Sequence, residues 1–189
     1  MENYFDESII AATNKTNFVI EKVTKEKSET ETITISTFIY KDDAFHRKQN
    51  LSVENKKIAG DGDDLGWDLT SDQYDNATWG DILYLGLYLG ITPDYIYNNK
   101  SVTSIDVVDN DQEIIDYVDW INDNITVLQG NEWSHVPDNN KKYDIIICDL
   151  WALPGDITQD HKTDLTNHYT AHLKEGGKII IPISGETIS

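Results

Sequence analysis

The stretch Asp81-Ile-Leu-Tyr-Leu-Gly-Leu-Tyr-Leu-Gly-Ile-Thr-Pro93, followed by Ser101-Val-Thr-Ser-Ile-Asp-Val-Val-Asp109, constrains the fold more than any other feature of the chain. Residues 81–85 form a short apolar run of strand length, and Gly86 and Gly90 bracket a tight turn after it. Thr92-Pro93-Asp94 reads as a helix start, with Thr92 as N-cap and Pro93 at the first helical position. The second apolar run ends on Asp109, 19 residues beyond Gly90. Strand, glycine turn, helix and acid-ended strand make a β-α-β unit. Its carboxylate stands at the carboxyl edge of a parallel sheet, where it can accept hydrogen bonds from the two hydroxyls of an adenosine ribose.

The pattern continues. Strand-like runs at 81–85, 102–108, 125–129, 143–148 and 178–183 alternate with helical stretches, which predicts an α/β chain with a Rossmann-like, mostly parallel sheet of about five strands. After Asp109 a helix places Ile114, Val118 and Ile121 on one face with Ile115, with Asp111 as its cap. Another helix is expected from about Asp160 to Lys174, with Leu165, Tyr169 and Leu173 inward and Gly176-Gly177 ending it. Ahead of the sheet, residues 17–23 and 30–40 alternate apolar and polar positions around a charged Lys25-Glu-Lys-Ser-Glu29 link and read as a β-hairpin. Lys41 to about Trp79 is polar and glycine-dotted, an irregular segment with short elements. The expected division is therefore residues 1–78, hairpin and irregular segment, and residues 79–189, the Rossmann-like domain.

With 34 acidic against 15 basic residues the net charge is −19, which repels phosphate backbones and anionic lipid. Nucleic acid is excluded as a first-choice partner, and the charge reads either as a solvated surface suited to solubility or a saline habitat or as one that steers a cationic small-molecule acceptor. The single cysteine, Cys148, sits inside an apolar run and reads as a small core residue rather than a nucleophile. No run is long enough to span a membrane and the first residues lack a signal-peptide pattern, so the expected location is the cytoplasm. His161, His168 and His172 share a helix face, but no third ligand at the usual spacing completes a metal site.

Several landmarks together carry a resemblance. They are the strand with Gly86 and Gly90, the acidic end Val108-Asp-Asn-Asp111, the strand exit Val127-Leu-Gln-Gly-Asn131, the strand Tyr143-Asp-Ile-Ile-Ile-Cys-Asp149, and His172-Leu-Lys-Glu-Gly-Gly-Lys-Ile-Ile-Ile181. Residues 79–183 resemble the Rossmann-fold S-adenosylmethionine-dependent methyltransferases, and within them are similar to aminopropyltransferases of the spermidine synthase type. The resemblance implies that Gly86 and Gly90 line the methionine part of the cofactor, that Asp109 holds the ribose, that Asn131 lies near the adenine, and that Asp149 faces the reacting centre. The chain departs from the family in four ways. Tyr88 replaces the middle glycine of the loop, and Leu150-Trp-Ala-Leu-Pro-Gly155 replaces an acid-rich segment. No Tyr-His-Glu segment precedes the first strand, and the family's sixth and seventh strands are missing or supplied from elsewhere.

Each site residue also has a plainer role open to it. The two glycines can serve only to turn the chain, although Tyr88 would intrude on a pyrophosphate, which favours S-adenosylmethionine over a nicotinamide cofactor. Asn131 and Trp133 either clasp an adenine or belong to a surface loop. Asp149 either takes a proton from an attacking amine or hydroxyl or is a solvated strand end. Trp151 either walls a cation or sulfonium or covers the core. The leading expectation is methyl transfer from S-adenosylmethionine to a small molecule. The alternatives are aminopropyl transfer from decarboxylated S-adenosylmethionine to a polyamine, and a shortened, non-catalytic nucleoside-binding or interaction protein. Exposed sheet edges favour a homo-oligomer.

Overall fold

The computed structural model describes residues 13–15, 18–28, 31–40, 48–51, 53–54, 57–59, 66–68, 78–150, 157–182 and 186–188. The chain divides into two compact units, Met1–Ser71 and Asp72–Ser189.

In the first unit β1 (Thr13–Asn14), β2 (Phe18–Ser28), β3 (Glu31–Tyr40) and β4 (Lys48–Leu51) form an antiparallel sheet in that order. The β2–β3 ladder runs from Phe18↔Tyr40 to Ser28↔Glu31. Lys25 to Ser28, expected as a link, is therefore strand, because main-chain bonding in an antiparallel pair carries on through charged residues. The segment expected to be irregular holds β4 and a second antiparallel meander, β5 (Val53–Glu54), β6 (Lys57–Ala59) and β7 (Gly66–Asp68).

The second unit is built on a six-stranded sheet of β8 (Trp79–Leu85), β9 (Ser101–Asp109), β10 (Ile125–Gln129), β11 (Tyr143–Cys148), β12 (Leu173–Ile181) and β13 (Glu186–Ile188). Their spatial order is β10-β9-β8-β11-β12-β13, with the first five parallel and β13 antiparallel to β12. The five parallel strands and the α/β class are those the sequence predicts. The antiparallel sixth strand is an addition: three residues of Glu-Thr-Ile carry too little periodicity to be read alone.

Helices α1 (Ile91–Asn99), α2 (Gln112–Tyr117) and α3 (Gln159–Tyr169) lie in the crossovers. Leu83, Leu85, Val108, Ile146, Cys148, Ile179 and Ile181 join Leu165 and Tyr169 of α3 in one core cluster. Ile82, Tyr84, Ile145 and Ile147 are buried too, and strand alternation sends them to the opposite face. Burial on both faces explains the unbroken apolar runs of β8 and β11.

Three helix boundaries differ from expectation. The α1 N-cap is Gly90, in the left-handed region at φ 69°, and the Asp94 N–H donates to the Gly90 carbonyl at 3.1 Å. Thr92 and Pro93 thus fall inside the first turn, where N–H groups have no helical acceptor and a proline costs little. Helix α2 is capped by Asp111 as expected but stops at Tyr117, short of Ile121. Beyond it the Trp120 indole N–H donates to the Leu89 carbonyl at 3.2 Å, drawing the chain over the glycine turn.

Helix α3 ends at Tyr169, a single 3₁₀ turn follows at 170–172, and Leu173 opens β12 instead of extending the helix. Gly176 and Gly177 lie inside that strand, where its register against β11 slips between Tyr143↔Leu173 and Ile145↔Lys178. A Cβ on Gly177 would meet the Asp144 and Lys174 carbonyl oxygens at 3.0 Å, so the glycine serves a close strand approach, not a helix cap.

Candidate active site

The order of the sheet reverses between β8, which leads to β9 on one side, and β11 on the other. Open α/β sheets bind ligands in the crevice outside the carboxyl ends at such a point. There the strand exits are tied together by main-chain bonds: Gly86 N–H to the Val108 carbonyl at 2.8 Å, Asp149 N–H to Leu85 at 3.0 Å, and Gly130 N–H to Asp109 at 2.9 Å. The structure brings Gly86, Tyr88, Gly90, Asp109, Asn131, Trp133 and Asp149 to this edge. Trp151 lies outside the described residues.

The two glycines of the turn have separate structural demands. Gly86 has φ 96°, and a Cβ there would stand 2.4 Å from the Asp149 carbonyl oxygen and 3.2 Å from Tyr88 Cε2. Gly90 faces the other way, toward Ile121 and Val118, whose methyl carbons are 2.6 and 2.7 Å from the position of a Cβ. Tyr88 is itself left-handed at φ 48°, an uncommon conformation for an aromatic residue, and its ring edge folds back beside Gly86. The tyrosine therefore narrows the space over the turn.

Asp109 is only 3% exposed. Its Oδ2 accepts from the Leu87 N–H at 2.8 Å and its Oδ1 from the Asp111 N–H at 2.8 Å. The carboxylate thus pins the turn from below. Burial raises its pKa, against the lowering effect of those N–H donors.

A second buried acid, Glu132 at 6% exposure, accepts from the Asn110 N–H at 2.9 Å, and burial together with the nearby Asp109 charge raises its pKa as well. Sequence reasoning passed over Glu132 in favour of its neighbour. Asn131 is exposed and spends its side-chain oxygen on the Trp133 N–H at 2.9 Å. Trp133 is 38% exposed and packs on His161 with ring centroids 5.2 Å apart. What orders this loop is Tyr169, whose hydroxyl donates to the Glu132 carbonyl, a long-range contact with no sequence signature.

Asp149 follows directly on β11. Its Oδ2 accepts from the Tyr84 hydroxyl at 2.6 Å. Burial outweighs this hydrogen bond and pushes the carboxyl up to about 6, the range in which a carboxylate can both take and release a proton near neutrality.

The three histidines have other uses. His161 completes the α3 capping box with Thr158, His168 Nε2 lies 2.9 Å from the His135 carbonyl, and the His168 and His172 rings are 5.9 Å apart. Among the described residues no group of three His, Cys, Asp or Glu side chains is placed to hold a metal. Cys148 is fully buried and its thiol is pushed well above its usual range, so it is inert packing.

Fold and site define a doubly wound α/β domain with an acid-lined crevice at its switch point. No protein-family model matches the sequence, and no curated protein matches it. Among solved structures the chain is similar to the plantazolicin methyltransferase BpumL in complex with a monoazolic desmethylPZN analog and SAH, at 19% identity, TM-score 0.45, covering 55% of this chain and 38% of that one. It is also similar to SAM-bound CalS10, an amino pentose methyltransferase from Micromonospora echinaspora, at 14% identity, TM-score 0.43, covering 53% and 41%. A ribosomal protein L11 methylase from Lactobacillus delbrueckii subsp. bulgaricus gives 19% identity, TM-score 0.40, covering 52% and 48%. The chain thus spans two fifths to one half of the length of these structures. No helix among the described residues is long and apolar enough to cross a membrane.

Proposed function

We propose that the domain binds S-adenosylmethionine in the switch-point crevice and transfers its methyl group to a small-molecule amine or hydroxyl. One observation carries this reading: the buried Asp109 carboxylate beneath the Gly86–Gly90 turn and the Asp149 carboxyl, shifted to about 6, stand at the exits of β9 and β11, on either side of the β8 exit. The donor set suits the group. Asp109 and Glu132 are buried acceptors fit for ribose hydroxyls and an adenine amino group, and the Tyr88 ring beside Gly86 intrudes where the pyrophosphate of a dinucleotide would approach the turn. A cationic, phosphate-free nucleoside matches their charge.

When bound, S-adenosylmethionine supplies a methyl group already activated by its sulfonium. Asp109 orients the ribose, and Tyr88 and Gly86 bound the adjoining space. Asp149 takes the proton that the acceptor loses as its nitrogen or oxygen bonds to the methyl carbon, while the S–CH₃ electron pair stays with S-adenosylhomocysteine. The net charge of −19 concentrates cationic acceptors at the surface, which also suits a polyamine and the decarboxylated donor.

Calorimetric titration with S-adenosylmethionine, S-adenosylhomocysteine, 5′-methylthioadenosine and a nicotinamide dinucleotide tests the reading. Tight binding of S-adenosylhomocysteine supports methyl transfer. Preference for methylthioadenosine transfers the reading to aminopropyl chemistry, and binding of none of them overturns it in favour of a non-catalytic interaction domain.

A further inference from the structure

Tyr84 lies in the middle of β8, fully buried, with Ile147 of β11 as its register partner. Strand alternation sends Tyr84, Ile147 and, two residues on, Asp149 to the same face of the sheet. The backbone of Asp149 is fixed independently of its side chain: its N–H donates to Leu85 at 3.0 Å, and its carbonyl fills the space that a side chain on Gly86 would need. The 2.6 Å bond from the Tyr84 hydroxyl then fixes the carboxyl group itself. Among the described residues the titratable groups acting on Asp149 are Tyr84 from β8 and the neutral Cys148 thiol beside it.

Resting on the transferase reading above, we propose that Tyr84 is a positioning residue that acts through Asp149. Its hydroxyl occupies Oδ2, holds the plane of the carboxylate, and leaves Oδ1 as the oxygen that takes the acceptor's proton. A hydrogen bond donated to a carboxylate favours the ionised form, so Tyr84 opposes the effect of burial and keeps Asp149 able to act as a base near neutral pH.

The test is a carbon-13 NMR titration of the full chain with labelled aspartate carboxyls, using Asp149→Asn to assign the Asp149 signal. In Tyr84→Phe the midpoint should rise by about one pH unit, since a hydrogen bond to a charged group is lost. Site-specific 3-fluorotyrosine at position 84, a stronger donor, should lower it. In turnover, Tyr84→Phe should reduce kcat about threefold at pH 6.5, with recovery above pH 8 and no change in KM for the donor. An unmoved midpoint in a Tyr84→Phe protein of unchanged circular dichroism overturns the proposal. If that variant does not fold, the absence of a downward shift with fluorotyrosine does the same. Failure of the transferase reading shows separately, as no binding of S-adenosylhomocysteine to the unmodified protein, and leaves the Tyr84–Asp149 titration readable.

Discussion

Tyr84 donates a 2.6 Å hydrogen bond to Asp149, yet the Asp149 carboxyl is still raised to about 6. The desolvation at this strand exit is therefore larger than the help the tyrosine gives. Because the folded-state pKa lies above the unfolded value of 3.8, the folded chain holds this proton more tightly than the unfolded one. Stability from this group is fully present below pH 3.8 and is lost as the pH rises through about 6. Asp149→Asn should accordingly raise stability by roughly 1–2 kcal/mol at pH 8 and leave it unchanged near pH 4, read by thermal denaturation at both values. The same variant should bind S-adenosylhomocysteine normally while turnover falls by about 10²–10⁴-fold, as for loss of a proton acceptor.

Asp109 combines two tasks that mutation can separate. Asp109→Ala should weaken nucleoside binding at least about tenfold and destabilise the domain by roughly 1–3 kcal/mol, because the Leu87 and Asp111 N–H groups lose their acceptor. Asp111→Ala removes the α2 cap, formed with the Glu113 N–H at 2.9 Å, and should cost about 0.5–2 kcal/mol with binding retained. Comparing calorimetric affinity and urea denaturation of the two variants isolates the binding role. Equal affinity in both would remove Asp109 from the site.

The contrast between Asp109 and Asn131 shows what a sequence can disclose. A strand-ending acid at a fixed distance from a glycine turn is local information, and both the strand runs and the Asp111 cap follow from signals within a few residues. Glu132 was invisible because its burial depends on Tyr169, 37 positions away, and on the Asn110 N–H across the sheet. The fifth strand starts at Leu173 rather than at the expected residue 178 for a similar reason. Leu-Lys-Glu-Gly-Gly carries the features of a helix end, but Gly177 is needed where β12 meets the Tyr143 and Asp144 carbonyls, a tertiary demand that overrides the local pattern.

The glycine turn should tolerate its two positions unequally. Gly86→Ala places a Cβ 2.4 Å from a backbone oxygen at φ 96°, and neither strand exit can retreat without breaking the Asp149–Leu85 and Gly86–Val108 bonds. A loss of more than about 3 kcal/mol is expected, with nucleoside binding abolished. Gly90→Ala at φ 69° meets side-chain methyl groups of Ile121, Val118 and Leu87 instead of backbone. Its cost should stay near 1–2 kcal/mol, the left-handed strain plus modest repacking. Urea midpoints of the two variants give the order directly, and a reversed order would mean that the contacts around the turn are wrong.

Lys174 joins the two motifs that are most legible in the sequence. Its ammonium bridges Asp81 at 2.6 Å and Asp144 at 2.7 Å, and Asp144 also accepts the Asp81 N–H at 2.8 Å. Both acids belong to the amino ends of their strands, so the lysine clamps β8 to β11 at the pole opposite the crevice. Lys174→Met should leave two carboxylates facing one another without a cation and cost about 1–2 kcal/mol at pH 7. Hydrogen bonds from Lys174 and Ser104 hold the Asp81 carboxyl below its ordinary 3.8, so this stabilisation is present above that value and fades as the pH falls through the lower folded-state pKa. Urea denaturation of the two proteins should therefore differ at pH 7 and the difference should shrink as the pH falls below 3.8, with S-adenosylhomocysteine affinity at pH 7 the same in both. A loss of affinity in Lys174→Met would show that the two ends of the sheet are coupled.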